Sequence, residues 1–196
     1  MQISEGQETS PGTSYAYRAS LIGSAHEFVL TDEGLSWHIG GRSGLWRYDE
    51  ISAVRLSFRP VSMQQRRFRA DLTHAGGTRI AILSTTWQTA TLMQAQDQDY
   101  RGFIVELHDR MQRAGSRAVL TAGLGRMAYA VGVGLMAVLA VAMASLLVRA
   151  VATAEFVGAL FVVGFAALFT WQVGGFIRRN QPQNYTFDRL PQALLP

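Results

Sequence analysis

Cysteine is absent from this 196-residue chain, and so is lysine: all 18 basic residues are arginine. The first absence excludes disulfide frameworks and thiolate metal sites. The second reads as the base composition of a GC-rich genome, not as a selected chemistry. Charge is distributed unevenly. Residues 1–126 carry 14 of the arginines and 12 of the 14 acids, and two later stretches of 22 residues, 127–148 and 156–177, carry none.

Those stretches, MAYAVGVGLMAVLAVAMASLLV and FVGALFVVGFAALFTWQVGGFI, would each extend roughly 33 Å as a helix, enough for a hydrocarbon core of about 30 Å. Two in succession exceed what a small soluble core can surround. They therefore predict a transmembrane hairpin, with RAVATAE as the connection. No Asp, Glu, His, Lys or Arg lies inside either span, so they read as an anchor and not as an ion or proton path. Arg110, Arg113, Arg117 and Arg126 precede the first span and Arg178, Arg179 and Arg189 follow the second, against Arg149 alone between them. The arginine bias puts both termini in the cytoplasm. The opening MQISEGQETSPG has no apolar h-region and is expected to be a disordered segment, not a signal peptide.

The soluble part turns on the stretch SWHIGGRSGLWRYDEI. A phosphate-cradling glycine loop must open a helix directly after it. Here Leu35, Trp37 and Ile39 alternate before the glycines, and Leu45-Trp46-Arg47-Tyr48 and Val54, Leu56, Phe58 read as strand after them. The glycines therefore predict a hairpin turn, where positive φ is required. Period-2 alternation recurs around Phe28 and Leu30, around Phe68, Ala70 and Leu72, and around Ile80 and Ile82, with SYAYRAS as a first strand. About seven short antiparallel strands predict a barrel or sandwich. In DQDYRGFIVELHDRMQRAG, Tyr100, Phe103, Ile104, Leu107 and Met111 recur at helical spacing. Asp97 or Asp99 would cap that helix, Gly115 would follow it, and the helix would plug the open end of the barrel. The expected core is Phe28, Leu35 or Trp37, Val54, Leu56, Phe68, Ile80, Phe103 and Leu107.

The run FVLTDEGLSWHIGGRSGLWRYDEISAVRLSF, the GGTRIAI strand and a helix ending ELHDRM together resemble the bacterial pleckstrin-homology-like (PH-like) domains of small membrane proteins, YcxB-like ones included. The resemblance covers about residues 14–114. It implies an α+β fold: a PH-like antiparallel barrel of about seven strands with a C-terminal plug helix, followed by a two-helix transmembrane hairpin, in the inner membrane of a bacterium. The expected organisation is a disordered N-terminus (1–12), a PH-like cytoplasmic domain (13–115), a linker (116–126), the membrane hairpin (127–178, with spans 127–148 and 156–177) and a cytoplasmic tail (179–196).

Little in the chain points to catalysis, and no catalytic, cofactor or metal residue is assigned. His26, His38, His74 and His108 are scattered, with no HExxH and no cluster at ligand spacing. Glu106, His108 and Asp109 would fan around the helix as solvated surface. No serine lies in a G-x-S-x-G context. The densest charge feature is RLSFRPVSMQQRRFR, residues 55–69, with five arginines and no acid. Residues 1–126 are only weakly basic in total, so nucleic acid is not expected. Arg66, Arg67, Arg69, Arg113, Arg117 and Arg126 are the candidates for contact with anionic lipid headgroups or a protein partner. The function expected is a membrane-anchored, non-enzymatic binding or scaffolding module; the alternative is a small subunit of a larger membrane complex, held through its hairpin.

Overall fold

At Gly40 and Gly41 the backbone has φ of 56° and 78°, the double positive φ of a type I′ turn, whose twist suits the strands it joins. The computed structural model describes residues 13–20, 22–59, 66–89 and 92–196; the expected disordered segment 1–12 lies outside them. Strands β1 (Ser14–Tyr17), β2 (His26–Leu30), β3 (Leu35–Ile39) and β4 (Arg42–Trp46) form a four-stranded antiparallel sheet in that order. Phe28, Leu30 and Leu35 are fully buried. Of the two tryptophans flanking the turn, Trp46 is in the core and Trp37 is only partly covered.

A 3-10 turn at Tyr48–Glu50 leads into β5 (Ile51–Phe58). β5 pairs with β6 (Phe68–His74), and β6 with β7 (Arg79–Leu83). Alternation does what it promised in these strands: Val54, Leu56, Ala70, Leu72 and Ile82 are fully buried, while Arg55, Asp71 and Ala81 share the opposite face. Two further short strands, β8 (Thr85–Trp87) and β9 (Met93–Ala95), pair with each other. The second large sheet has five strands, in the order β11, β10, β5, β6, β7, where β10 is Val119–Ala122 and β11 is Gln183–Asn184.

The expected antiparallel barrel is not closed. The eleven strands make three sheets, and no ladder among the described residues joins the two large ones. The reason lies at Ser84, which is fully buried. Its Oγ accepts the Phe68 N–H at 2.9 Å and its own N–H donates to Phe68 O. The chain then leaves β6, and β8 runs beside β1, joined by Trp87 N–H to Arg18 O and Arg18 N–H to Thr86 Oγ1. Side chains cross the remaining gap. Tyr15 donates to Leu83 O at 2.6 Å and Tyr17 to Ala81 O at 2.5 Å. Tyrosine hydroxyls thus satisfy carbonyls at the β7 edge that a ladder would have used.

Helix α1 (Asp97–Arg113) covers this core and buries Tyr100, Phe103, Ile104, Leu107 and Met111. Phe103 packs 5.6 Å from Tyr15 and 6.4 Å from Phe28 between ring centroids. Neither Asp97 nor Asp99 caps the helix through its side chain; Gln96 holds the cap position and both acids lie in the first turn, where they favour the helix dipole. The C-terminus closes with Ser116 N–H to Met111 O and Gly115 N–H to Gln112 O, with Gly115 at φ 67°, a Schellman motif. His108, expected on the surface, is 1% exposed.

Residues 116–126 and 179–196, expected as linker and tail, hold ordered structure: β10 lies in the first, β11 and a 3-10 turn (Gln192–Leu194) in the second. The chain divides into two units, one of residues 1–121 with 184–196, the other of residues 122–183. The apolar hairpin is therefore inserted within the folded domain and does not trail behind it.

In the second unit, α2 (Arg126–Ala152) and α3 (Phe156–Arg179) pack as an antiparallel pair. They are longer than the expected spans, at 27 and 24 residues. Their mean hydropathies are 2.5 and 2.0, and neither helix buries a residue. The core helix of a soluble protein would be covered. Length, apolarity and exposure together point to membrane association. The turn between them ends α2 with Glu155 N–H to Ala150 O and Ala154 N–H to Val151 O, Ala154 taking a φ of 57°. At the other end, Leu124 N–H donates to Asn180 O at 2.9 Å. Gly123 permits this approach: a Cβ there would lie 2.5 Å from the carbonyl oxygens of both Asn180 and Gln181.

Candidate functional site

Of the six arginines singled out in the sequence, three are held by neighbouring side chains. Arg66 is exposed just before β6. Arg67 turns toward the β8–β9 hairpin, donating from Nε to Thr85 Oγ1 at 3.0 Å and from Nη2 to Met93 Sδ at 3.1 Å; burial depresses its pKa. Arg69 is held by Asp71, with Nη2 to Oδ1 at 2.6 Å. Arg113 pairs along α1 with Asp109 and, at 3.7 Å, with Glu106. Arg117 is exposed between α1 and β10, and Arg126 is the first residue of α2. Arg67, Arg69 and Arg113 thus do structural work, each tied to a neighbour on its own domain.

A different basic surface does form. On the outward face of the five-stranded sheet, Arg55 stands opposite Asp71 across β5 and β6, and Thr73 stands opposite Arg79 across β6 and β7. Side chains directly opposite have Cβ atoms roughly 5 Å apart, and diagonal neighbours roughly 7–8 Å. Asp71 therefore sits amid three arginines: Arg55 across, Arg69 two residues along its own strand, and Arg79 on the diagonal. Among the described residues only Arg69 forms an ion pair with it. Arg55 instead reaches Thr121 of β10, Nε to Oγ1 at 3.4 Å. These residues, with Ala53, Ala81, Ile80, Thr73 and Thr121, line a depression of about 440 Å³.

The residues after the hairpin build a second feature, a strap across α1. His108 donates from Nδ1 to Ile104 O at 2.7 Å, the helical carbonyl one turn back, so its Nε2 carries the lone pair that accepts the Tyr185 hydroxyl at 2.8 Å. Burial lowers the His108 pKa and raises that of Tyr185, so both groups stay neutral in these roles near pH 7. Phe187 meets the His108 ring edge-on at 6.1 Å. Gln112 donates to Asp188 Oδ1 at 2.9 Å, and Arg101 donates to Gln192 Oε1 and Pro196 O at 2.5 and 2.8 Å. Leu194 and Leu195 are buried. Among the described residues no three His, Asp or Glu side chains converge as ligands for one metal ion.

Comparison with protein-family models, with curated proteins and with solved structures finds no match for this chain.

Sequence reasoning reached Arg69, and Arg55 as part of the 55–69 run, but missed Arg79 and Thr121. Arg55, Arg79 and Thr121 lie far apart along the chain, and only strand register aligns them. The outward alternation of each was readable; their convergence was not. The tail offered one signal, the apolar residues of YTF and ALLP within an otherwise polar segment.

Proposed function

We propose that this protein is a membrane-anchored, non-enzymatic binding or scaffolding module. Its folded domain is PH-like and faces the cytoplasm of a bacterial cell from the inner membrane. The insertion of the apolar hairpin within that domain carries the reading. Residues 122–183 leave and rejoin one folded unit, so both helices are tied to the domain they would anchor. A hairpin with no charge within 127–148 or 156–177, bound in this way, supports an anchor better than a pathway, which needs polar groups at membrane depth. The PH-like part is supported by the order of elements: a four-stranded meander, then β5, β6 and β7, the short pair β8 and β9, and then one covering helix. The flanking arginines favour the cytoplasmic side.

Reporter fusions test the topology. An enzyme active only outside the cytoplasm is expected to be silent when fused after residue 196 and active when inserted between 149 and 155. Activity after residue 196 would overturn the orientation.

One observation favours the second reading, a small subunit of a larger membrane complex. An apolar cleft of about 700 Å³ runs between α2 and α3, lined by Leu139, Ala140, Met143, Ala144, Val163 and Ala167 among others. Small residues at such positions admit a neighbouring helix closely. Exchanging 127–177 for an unrelated hairpin separates the two: a module keeps its partners on affinity purification in mild detergent, and a subunit loses them.

A further inference from the structure

We propose that the outward face of β10, β5, β6 and β7 is a binding site for a single phosphate group, presented by an anionic phospholipid or free in solution. The site deepens the reading of a membrane-anchored binding module, which bears only on where the phosphate comes from.

Three observations converge on it. The first is charge. Arg55, Arg69 and Arg79 surround one carboxylate, Asp71, which is occupied by Arg69. The local net charge is +2, and neither Arg55 nor Arg79 has a carboxylate within ion-pair distance among the described residues. Both are exposed, and Arg55 spends only its Nε on Thr121, so its two terminal nitrogens and the Arg79 guanidinium face solvent. The second is shape. The side chains between the arginines are short: Ala53 and Ala81 leave space, while Thr73 and Thr121 add hydroxyls. Long cationic side chains around a floor of small ones make a concavity of about 440 Å³. A guanidinium presents a planar fork of donors that matches two phosphate oxygens at once, and hydroxyls supply the shorter contacts.

The third is position in the chain. Only residues 122–125 separate Thr121 from the start of α2. Even fully extended, the five steps from Thr121 to Arg126 cover at most about 18 Å. The covalent chain thus tethers one wall of the site to the start of an apolar helix, and headgroup phosphates are concentrated where such a helix meets the membrane surface. Asp71 tunes the site. It holds Arg69 in place and lowers the local charge, so the face favours one phosphate over a long polyanion.

The test uses the full chain in zwitterionic detergent, with two probes: inorganic phosphate, followed by titration calorimetry, and phosphatidylglycerol in excess phosphatidylcholine, followed by native mass spectrometry. The wild type is expected to take up one equivalent of at least one probe. Arg55→Gln and Arg79→Gln should each weaken that binding about tenfold or more, the loss of one charge-assisted contact. Asp71→Asn should tighten it, an outcome that damage to the fold does not produce. Arg42→Gln, at the start of β4, should leave it unchanged. Retention of phosphatidylglycerol without binding of inorganic phosphate would identify the lipid as the source; binding of inorganic phosphate would identify the phosphate group itself as sufficient. Binding of neither probe overturns the proposal, as does an equal loss on Arg42→Gln, which would reveal a response to net charge alone. Phosphate binding with this variant pattern would survive a failure of the reporter fusions, so the site and the topology stand or fall separately.

Discussion

Replacing Tyr185 by Phe removes one oxygen atom from the strap over α1 and keeps the ring that lies 5.7 Å from His108. His108 Nε2 then has no donor in a place where the residue is 1% exposed. A buried acceptor left unsatisfied costs about 1–3 kcal/mol, and in a protein of this size each kcal/mol shifts the melting temperature by roughly 2–4 °C. The pH dependence follows from the same geometry. Burial holds the folded pKa of His108 below its unfolded value. As pH falls through about 6.5, the unfolded chain takes up a proton that the folded chain refuses, so stability drops; the drop ends once folded His108 also protonates. His26, whose pKa is likewise lowered by burial, titrates in the same window, so the His108 share is the difference between wild type and His108→Leu. Near-ultraviolet circular dichroism of the full chain in detergent, melted between pH 5 and 8, measures both effects. Hydrogen exchange at the Tyr185 amide, which donates to Leu120 O at 3.2 Å, reports the strap locally. Should Tyr185→Phe leave both the melting temperature and that amide's protection unchanged, the strap is not a structural part of the domain.

Three other perturbations follow from the same structure. Leu107→Ala empties a fully buried position under α1 and is expected to cost about 2–5 kcal/mol in chemical denaturation; an unchanged midpoint would mean that α1 does not cover the core. Gly123→Ala places a methyl group against two carbonyl oxygens at a φ of 83°, with an expected cost above about 2 kcal/mol and faster exchange of the Leu124 amide; unaltered exchange would show that the hairpin ends are not pinned there. Leu194→Ala with Leu195→Ala opens two buried positions in the final residues, and limited proteolysis should then release the C-terminal segment first; wild-type resistance would refute its docking.

Much of the fold was present in local pattern. Alternation at Val54 and Leu56, at Phe68 to Leu72 and at Ile80 and Ile82 marked buried strand faces, because a strand exposes and buries successive side chains whatever its partners are. Spacing of three and four at Tyr100, Phe103, Ile104, Leu107 and Met111 marked α1 for the same reason. The paired glycines at 40 and 41 marked a hairpin turn because few other residues accept two consecutive positive φ values. Two uncharged runs of 22 residues marked helices suited to a membrane, since apolarity and length are properties of the segment alone.

What the tertiary structure decided concerns pairs of distant residues. The opening between the large sheets depends on the turn at Ser84 and on tyrosines from β1 reaching carbonyls of β7, and no local period encodes such a meeting. His108 looked like surface because its burial is supplied by Tyr185 and Phe187, more than 75 residues away. Residues 116–126 and 179–196 looked like linker and tail because each is too short to be stable alone; β10 is held between β5 and β11, and β11 is held by β10. Arg55, Arg69 and Arg79 likewise became one basic face through register. Sequence sets the preference of each residue for burial or exposure, whereas neighbours are chosen by hydrogen-bond closure and packing across the whole domain, which only the folded chain expresses.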